Sequence, residues 1–250
     1  MTLPDAMIRF LFAVLLAGIP ITAPAANDLS AAQIEGRALA DELLRISPAE
    51  NLEVNGLMRM RAASGNRAAV PIHLQVVAGA DEWKSLYRAT LTNAPCPIIL
   101  TITHVSRGPN QYRLSPGGPG AEAKSVSPAN TMVPFAGSDF WLADLGLEFL
   151  HWPEQCLLKK EMRRGRSCRV LESRNPHPNP GSYLRVLSWI DLETDGLIQA
   201  EAYDDRNQLF KEFYPNSVTK VNGHMELKEM EIRNVQRRSR TRIEFNFDPK

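Results

Sequence analysis

The sequence has little that would mark a catalytic, metal-binding or nucleic-acid-binding protein. Three cysteines in 250 residues are too few for a disulfide scaffold, and no C-x-x-C spacing supports a zinc or thioredoxin-like site. Lys and Arg total 29 against 28 Asp and Glu, so the net charge of +1 lacks the basic excess of a nucleic-acid-binding domain. With 44% hydrophobic and 23% charged residues, the composition is that of a globular chain and excludes a largely disordered one.

Motifs for nucleophilic or phosphate chemistry are also missing. The sequence has no G-x-S-x-G motif, and the glycine-rich stretch Ser115–Gly120 lacks the Lys-Ser/Thr ending that a P-loop needs. Five scattered histidines show neither H-x-x-x-H nor H-E-x-x-H spacing. We therefore expect no enzyme, no metal and no cofactor, and a hydrolase is the least favoured class.

The first 25 residues have the pattern of an export signal. Arg9 precedes the apolar run Phe10–Ile19, and Ala23–Ala25 supplies a small-x-small exit. A membrane span needs about 20 apolar residues, so a run of this length is too short to remain in a bilayer. We expect a signal peptide over residues 1–25, cleaved near Ala25, and a periplasmic or otherwise exported chain with no membrane span. A buried N-terminal helix is the alternative.

Residues 26–250 are predicted to form a single domain that is mainly β. Ser30 is a plausible N-cap for a helix that ends near Arg45, with Ile34, Leu39, Leu43 and Ile46 on one side. Alternation with a period of two, together with β-branched residues, then predicts about ten strands. They fall at 57–61, 70–77, 83–91, 97–105, 168–173, 183–192, 197–203, 208–214, 224–234 and 241–247.

Local signals predict how these strands connect. Gly65-Asn66, Gly79–Asp81, Asp195-Gly196 and 204–207 are hairpin turns, and short links favour an antiparallel meander. A slip in the alternation between Leu227 and Met230 indicates a bulge.

The region from 107 to 150 departs from this strand pattern. Residues 107–137 are predicted to be a long Pro/Gly-rich loop, either disordered or a functional lid. Ser138 is expected to cap a short helix in the apolar stretch that follows. Asp144, just inside that helix, is expected to accept hydrogen bonds from a backbone N–H or an arginine and to have no catalytic role.

The cysteines leave two alternatives. Cys156 and Cys168 could pair across a hairpin-like turn, which an oxidising compartment would permit, and Cys96 would then be left over. The other possibility is three reduced, partly buried thiols.

The second half of the chain resembles the outer-membrane lipoprotein-sorting proteins, relatives of the LolA and LolB carriers. The resemblance covers about residues 137–247 and rests on the block Gly137–Leu145, a basic strand ending at Cys168–Leu171, the segment Tyr183–Asp191 with its Trp-Ile-Asp ending, and the hairpin Ala202–Lys211. It implies a strongly curved antiparallel half-barrel whose concave face is covered by helices, with a hydrophobic cavity for acyl chains. No ligand-contacting residue of those carriers can be matched onto this sequence.

The expected function is therefore reversible burial of lipid or lipoprotein acyl chains by a monomeric envelope carrier. Such a carrier implies an inner-membrane exporter and an outer-membrane acceptor as partners. The candidate cavity residues are the large apolar side chains Phe140, Trp141, Leu145, Phe149, Trp152 and Trp189. For each of them plain core packing is the alternative. The alternative function is a sensor or protein-binding module of the same fold that transports nothing.

Overall fold

The computed structural model describes residues 29–92, 94–105, 108–118 and 120–247, so the predicted signal peptide lies outside the described residues. Within them are two α-helices, α1 (Ala31–Leu44) and α2 (Leu142–Leu145), and two 3₁₀ turns at Pro128–Asn130 and Glu148–His151. Thirteen strands complete these ranges: β1 (Leu52–Arg61), β2 (Arg67–Val77), β3 (Glu82–Ala89), β4 (Ile98–Val105), β5 (Gln111–Ser115), β6 (Lys124–Val126), β7 (Glu154–Arg163), β8 (Arg166–Arg174), β9 (Tyr183–Asp191), β10 (Leu197–Asp204), β11 (Leu209–Val221), β12 (His224–Asn234) and β13 (Ser239–Asn246).

All thirteen strands belong to one antiparallel sheet that does not close, which confirms the predicted half-barrel. The order across the sheet is β6-β5-β4-β3-β2-β1-β13-β12-β11-β10-β9-β8-β7. From β1, which lies beside the middle strand, the chain therefore proceeds outward to β6, crosses to the opposite edge and returns to pair β13 with β1. Each half is a meander with short links, as the turn residues predict.

The crossing segment between β6 and β7 contains both 3₁₀ turns and α2, and it packs on the concave face. Phe135, Phe140 and Leu142 join the core of the first half-sheet, whereas Trp141 and Phe149 join the core of the second. One apolar segment thus supplies the side chains that both halves of a wide sheet need to bury their inner faces.

Helix α1 begins and ends close to where the sequence predicts. The Ser30 hydroxyl accepts from the Gln33 backbone N–H, and the Gln33 side chain accepts in return from the Ser30 backbone, which forms a capping box. The backbone comes close to β7 at Gly36, where a Cβ would stand 2.6 Å from the Cys156 Cα. Leu39 is buried, but the exposed Ile34 and Ile46 contradict the predicted apolar face at those two positions.

Three strands escaped the sequence prediction. Strands β5 and β6 lie inside the stretch that was expected to be a loop over residues 107–137, so that prediction is wrong for 111–115 and 124–126. Strand β6 has only three residues, and β5 alternates over only five residues next to a Pro/Gly-rich stretch. Strand β7 was missed because exposed charged residues dominate its second half, so its apolar residues do not alternate cleanly.

The helix prediction for the second half is only partly correct. Helix α2 begins at Leu142 with Trp141 as N-cap, so Ser138 does not cap it. Instead the Ser138 hydroxyl accepts from the Phe140 backbone N–H at 3.2 Å. The Asp144 carboxylate accepts from the Trp141 backbone N–H at 2.7 Å, which confirms the predicted backbone partner.

The possible disulfide between Cys156 and Cys168 is not formed. All three cysteines are free thiols. In the β7–β8 ladder Cys156 faces Glu172 and Cys168 faces Glu161, so the two cysteines are four positions apart along β8. That offset is about 13 Å at the rise of a strand, whereas a disulfide joins Cα atoms less than about 7 Å apart. The reduced alternative is the one the structure shows.

Turn and bulge predictions agree with the register. The Asp195-Gly196 turn joins β9 to β10, and Asp195 has a φ of +54°. In the β11–β12 ladder Ser217 pairs with Glu229 and Val218 with Leu227, which leaves one residue of β12 unpaired between them. This is the bulge that the slipped alternation predicts.

Candidate functional site

An apolar cavity of about 340 Å³ lies where the C-terminal end of α1 and the crossing segment meet the sheet. Helix α1 contributes Leu43 and Leu44, the crossing segment contributes Leu145 and Phe149, and β9 contributes Ile190. We call this the first cavity. It forms because a curved sheet of this width encloses more volume than one short helix and two 3₁₀ turns fill.

A second cavity of about 440 Å³ adjoins the first, under the segment that links α1 to β1. Its apolar wall comes from both halves of the sheet: Leu74, Val76, Leu227, Met230, Phe245 and Phe247. Pro48 and Ala49 of the linking segment cover it from outside. Both cavities have volumes typical of small-molecule sites, which span about 300–1,000 Å³.

The two cavities share four residues in their walls: Ile46, Trp83, His104 and Leu145. The Trp83 and His104 rings stack with centroids 3.6 Å apart and planes inclined by 9°. His104 Nε2 is 3.1 Å from the Ser85 hydroxyl, which holds the imidazole in place. The stacked Trp83 and His104 rings therefore form part of the boundary between the two cavities.

The histidines of this wall are neutral near pH 7. Burial, followed by the charge of His151, lowers the pKa of His104 to about 4. Burial also lowers the pKa of His151, which lines the first cavity. His104 and His151 therefore present uncharged rings to an apolar occupant, and neither has to be desolvated as an ion.

A buried polar network supports the first cavity from behind. The Tyr112 hydroxyl donates to Glu148 Oε2 at 2.7 Å, and Asn110 Nδ2 donates to the Gly146 carbonyl at 2.7 Å. Burial raises the pKa of Glu148 to about 7, although the hydrogen bonds from Tyr112 and Asn110 oppose that rise. The network fixes the loop 146–150, whose apolar side chains form the cavity wall.

Two oxygens of cavity-lining residues are buried without a hydrogen-bond partner among the described residues. They are Asn110 Oδ1 and Ser188 Oγ. Because the Gly146 carbonyl can only accept, the Asn110 amide must keep its nitrogen toward it, which leaves Oδ1 unpaired. Unsatisfied buried polar atoms are rare in folded proteins, and here two belong to one wall.

The structure brings together only two of the six predicted cavity residues. Leu145 and Phe149 line the first cavity, and Leu145 also lines the second. Phe140, Trp141 and Trp152 are buried in the hydrophobic core and line neither cavity.

Trp189 lies on the opposite face of the sheet. It stands between Ser188 and Ile190, which both face the first cavity, and alternate residues of a strand point to opposite faces. Its indole N–H donates to Glu161, and the Arg163 guanidinium lies 4.0 Å from its ring centroid. Trp189 is therefore not a wall residue of the cavities.

Trp141 has a structural role above a buried ion pair. Lys211 is only 1% exposed, and its Nζ lies 3.2 Å from Asp144 Oδ2 and 3.6 Å from the Trp141 ring centroid. Burial lowers the pKa of Lys211 to about 8, while the Asp144 carboxylate acts in the opposite direction. The Tyr183 hydroxyl also donates to Asp144 at 2.8 Å. The side-chain partners of Asp144 are therefore Lys211 and Tyr183, where the sequence predicted an arginine.

Sequence reasoning missed Trp83, His104 and Ile46 as wall residues. Trp83 and His104 belong to the strands β3 and β4, where the sequence shows only the alternation of a half-buried sheet. They meet because Trp83 and His104 are direct partners in the β3–β4 register. No sequence signal identifies which cross-strand pair borders a cavity.

In residues 29–92, 94–105, 108–118 and 120–247, His, Cys, Asp and Glu form no group of three or more that could hold a metal ion. None of the helices in those ranges is long and apolar enough to cross a membrane.

Three solved structures share the fold. A structure described as an outer-membrane lipoprotein-sorting protein domain from Vibrio parahaemolyticus has a TM-score of 0.73 and 20% identity, covering 86% of this chain and 92% of the other. A DUF1329 family protein from Desulfovibrio piger has a TM-score of 0.70 and 16% identity, with coverages of 86% and 91%. A LolA superfamily protein from Nitrosomonas europaea has a TM-score of 0.59 and 16% identity, with coverages of 87% and 93%.

Among curated proteins, none matches the sequence. A family model whose description reads "Uncharacterized protein" matches residues 99–247, which is more than half of the chain. The likeness in fold to these three structures agrees with the resemblance read from the second half of the sequence. The chain therefore belongs to the family of that model, and its fold is LolA-like.

Proposed function

We propose that the protein is an exported carrier that binds a lipid or lipoprotein acyl chain in the two adjoining cavities. The observation that carries the proposal is the pair of apolar cavities of about 340 and 440 Å³ that meet at Trp83 and His104. The amino-terminal sequence supports export, and the name of the Vibrio parahaemolyticus structure supports a place in lipoprotein sorting.

The chemistry of the walls suits hydrocarbon. Each methylene group moved from water into an apolar cavity contributes about 0.8 kcal/mol, so eight of them contribute about 6 kcal/mol before the cost of ordering the chain. This gain needs no precise hydrogen-bond geometry. A site of this kind accordingly leaves no residue motif in the sequence.

Ile46 offers a substitution that changes the cavities without disturbing the core. Its side chain lines both cavities although the residue is 58% exposed. Ile34 is a matched control, since it is 57% exposed on α1 and lines neither cavity. An arginine at either position can keep its charge in water. Only the arginine at position 46 would line the cavities.

The test is native mass spectrometry of the full chain purified without detergent, together with titration by the apolar fluorophore N-phenylnaphthylamine. We expect co-purifying lipid and saturable fluorophore binding for the parent protein and for Ile34→Arg, and at least tenfold weaker binding for Ile46→Arg. Equal loss in both variants, or no lipid and no fluorophore binding in the parent, contradicts the proposal. The latter result would favour a sensor that binds no lipid.

A further inference from the structure

The spaces that flank the two cavities differ in charge. At one end a cleft between α1 and the end of β4 shares Leu44, Val105 and His151 with the first cavity. We call it the α1 mouth. At the other end a cleft beside the β11–β12 hairpin shares Glu50, Leu52 and Phe247 with the second cavity. We call it the hairpin mouth. The α1 mouth, the first cavity, the second cavity and the hairpin mouth therefore adjoin one another in that order.

The α1 mouth contains cations aligned on one helix face. Arg37 and Asp41 of α1 and the C-cap residue Arg45 follow one another at intervals of four residues, and all three line this mouth. Arg37 lies 4.0 Å from Asp41 and donates to the Trp152 carbonyl at 2.7 Å, which orients its guanidinium. Arg45 is exposed and has no carboxylate within ion-pair distance among the described residues. With Asp81 the formal charge of the mouth is balanced.

The hairpin mouth is acidic. Glu50 and Glu53 line it against the single cation Lys220, and Glu226 stands beside Glu50 in the wall of the second cavity. Burial raises the pKa of Glu226, His224 opposes that rise, and the charge of Glu50 adds to it. An anionic group is repelled at this end and meets arginine at the other.

Because the two mouths differ in charge, the two ends of this series of spaces are not equivalent for a charged ligand. We propose, on the basis of the carrier function, that the cargo is an amphiphile with an anionic oxygen headgroup, carboxylate or phosphate. Its headgroup binds at the α1 mouth near Arg45, and its acyl chain passes Trp83 and His104 toward the hairpin mouth. Carboxylate and phosphate share the acceptor oxygens and negative charge that a guanidinium recognises.

The test compares ligands that have one tail and different heads. Dodecanoic acid, dodecyl phosphate and dodecanol compete with N-phenylnaphthylamine for the full chain at low salt, and the measured quantity is the preference for each anion over the alcohol. The variant Arg45→Glu reverses the charge at the α1 mouth, and Arg45→Gln only removes it. Lys220→Glu is the matched reversal at the hairpin mouth.

We expect both anions, or one of them, to bind more tightly than the alcohol. The better anion identifies the headgroup chemistry. A charge-assisted hydrogen bond is worth enough that Arg45→Glu should lower the preference about tenfold, with Arg45→Gln intermediate. Lys220→Glu should not lower it.

Three results separate the inference from the function on which it rests. Equal affinity for acid, phosphate and alcohol overturns the headgroup assignment and leaves the carrier proposal in place. A preference that is lost in Lys220→Glu and kept in Arg45→Glu overturns the orientation. Failure of all three ligands to displace the fluorophore counts against the carrier function itself.

Discussion

The buried carboxyl group of Glu148 should make the stability of this protein fall as the pH rises from about 4.5 to about 7. Glu148 is only 4% exposed, and burial raises its pKa from 4.5 to about 7. Between these two values the folded chain holds a proton that the unfolded chain releases. The stabilising contribution is therefore complete below pH 4.5 and is lost as the pH rises through the folded pKa.

The size of this effect follows from the difference between the two pKa values. One unit of pKa corresponds to about 1.4 kcal/mol, so ionisation of Glu148 costs the folded state about 3 kcal/mol above pH 7. Glu148→Gln removes the ionisation and keeps an oxygen that can accept from the Tyr112 hydroxyl. The free energy of unfolding of the variant relative to the parent should thus increase by about 3 kcal/mol between pH 4 and pH 8.

The assay is urea denaturation followed by tryptophan fluorescence at several pH values. Glu35→Gln is the control, because it makes the same chemical change on the exposed face of α1, outside the buried network. Because both variants are compared with the parent at each pH, other titrating groups cancel. A pH-independent difference for Glu148→Gln would refute the assignment of a raised pKa to this carboxyl group.

Three further predictions concern folding. Lys211→Met leaves the Asp144 carboxylate buried without its cation, so the free energy of unfolding in urea should fall by about 3–5 kcal/mol; adding Asp144→Asn should recover part of the loss, and an additive double mutant would contradict the pairing. Gly36→Ala should lower the melting temperature although alanine favours helices, because its Cβ would stand 2.6 Å from the Cys156 Cα; a higher melting temperature would show that α1 is not held so close to β7. Dithionitrobenzoate should titrate three thiols in denaturant without reductant, whereas one thiol would restore the disulfide between Cys156 and Cys168.

The features of this protein that can be predicted from its sequence are those that depend on residues close together in the chain. The Ser30 cap with Gln33 three residues later determines where α1 begins, and the alternation of Ile243 and Phe245 determines which face of β13 is buried. The Asp195-Gly196 turn was predictable for the same reason, since it depends on local backbone conformation. These local rules were sufficient to predict that the fold is mainly β and antiparallel.

The tertiary structure alone decided which apolar side chains border a cavity. Six large apolar residues were equivalent candidates by composition, yet Trp141 packs above Lys211, Trp189 faces the other side of the sheet, and only Leu145 and Phe149 line the walls. A cavity is the volume left between distant segments after a curved sheet has been covered. Its position therefore depends on long-range register and on the path of the crossing segment, which no local pattern encodes.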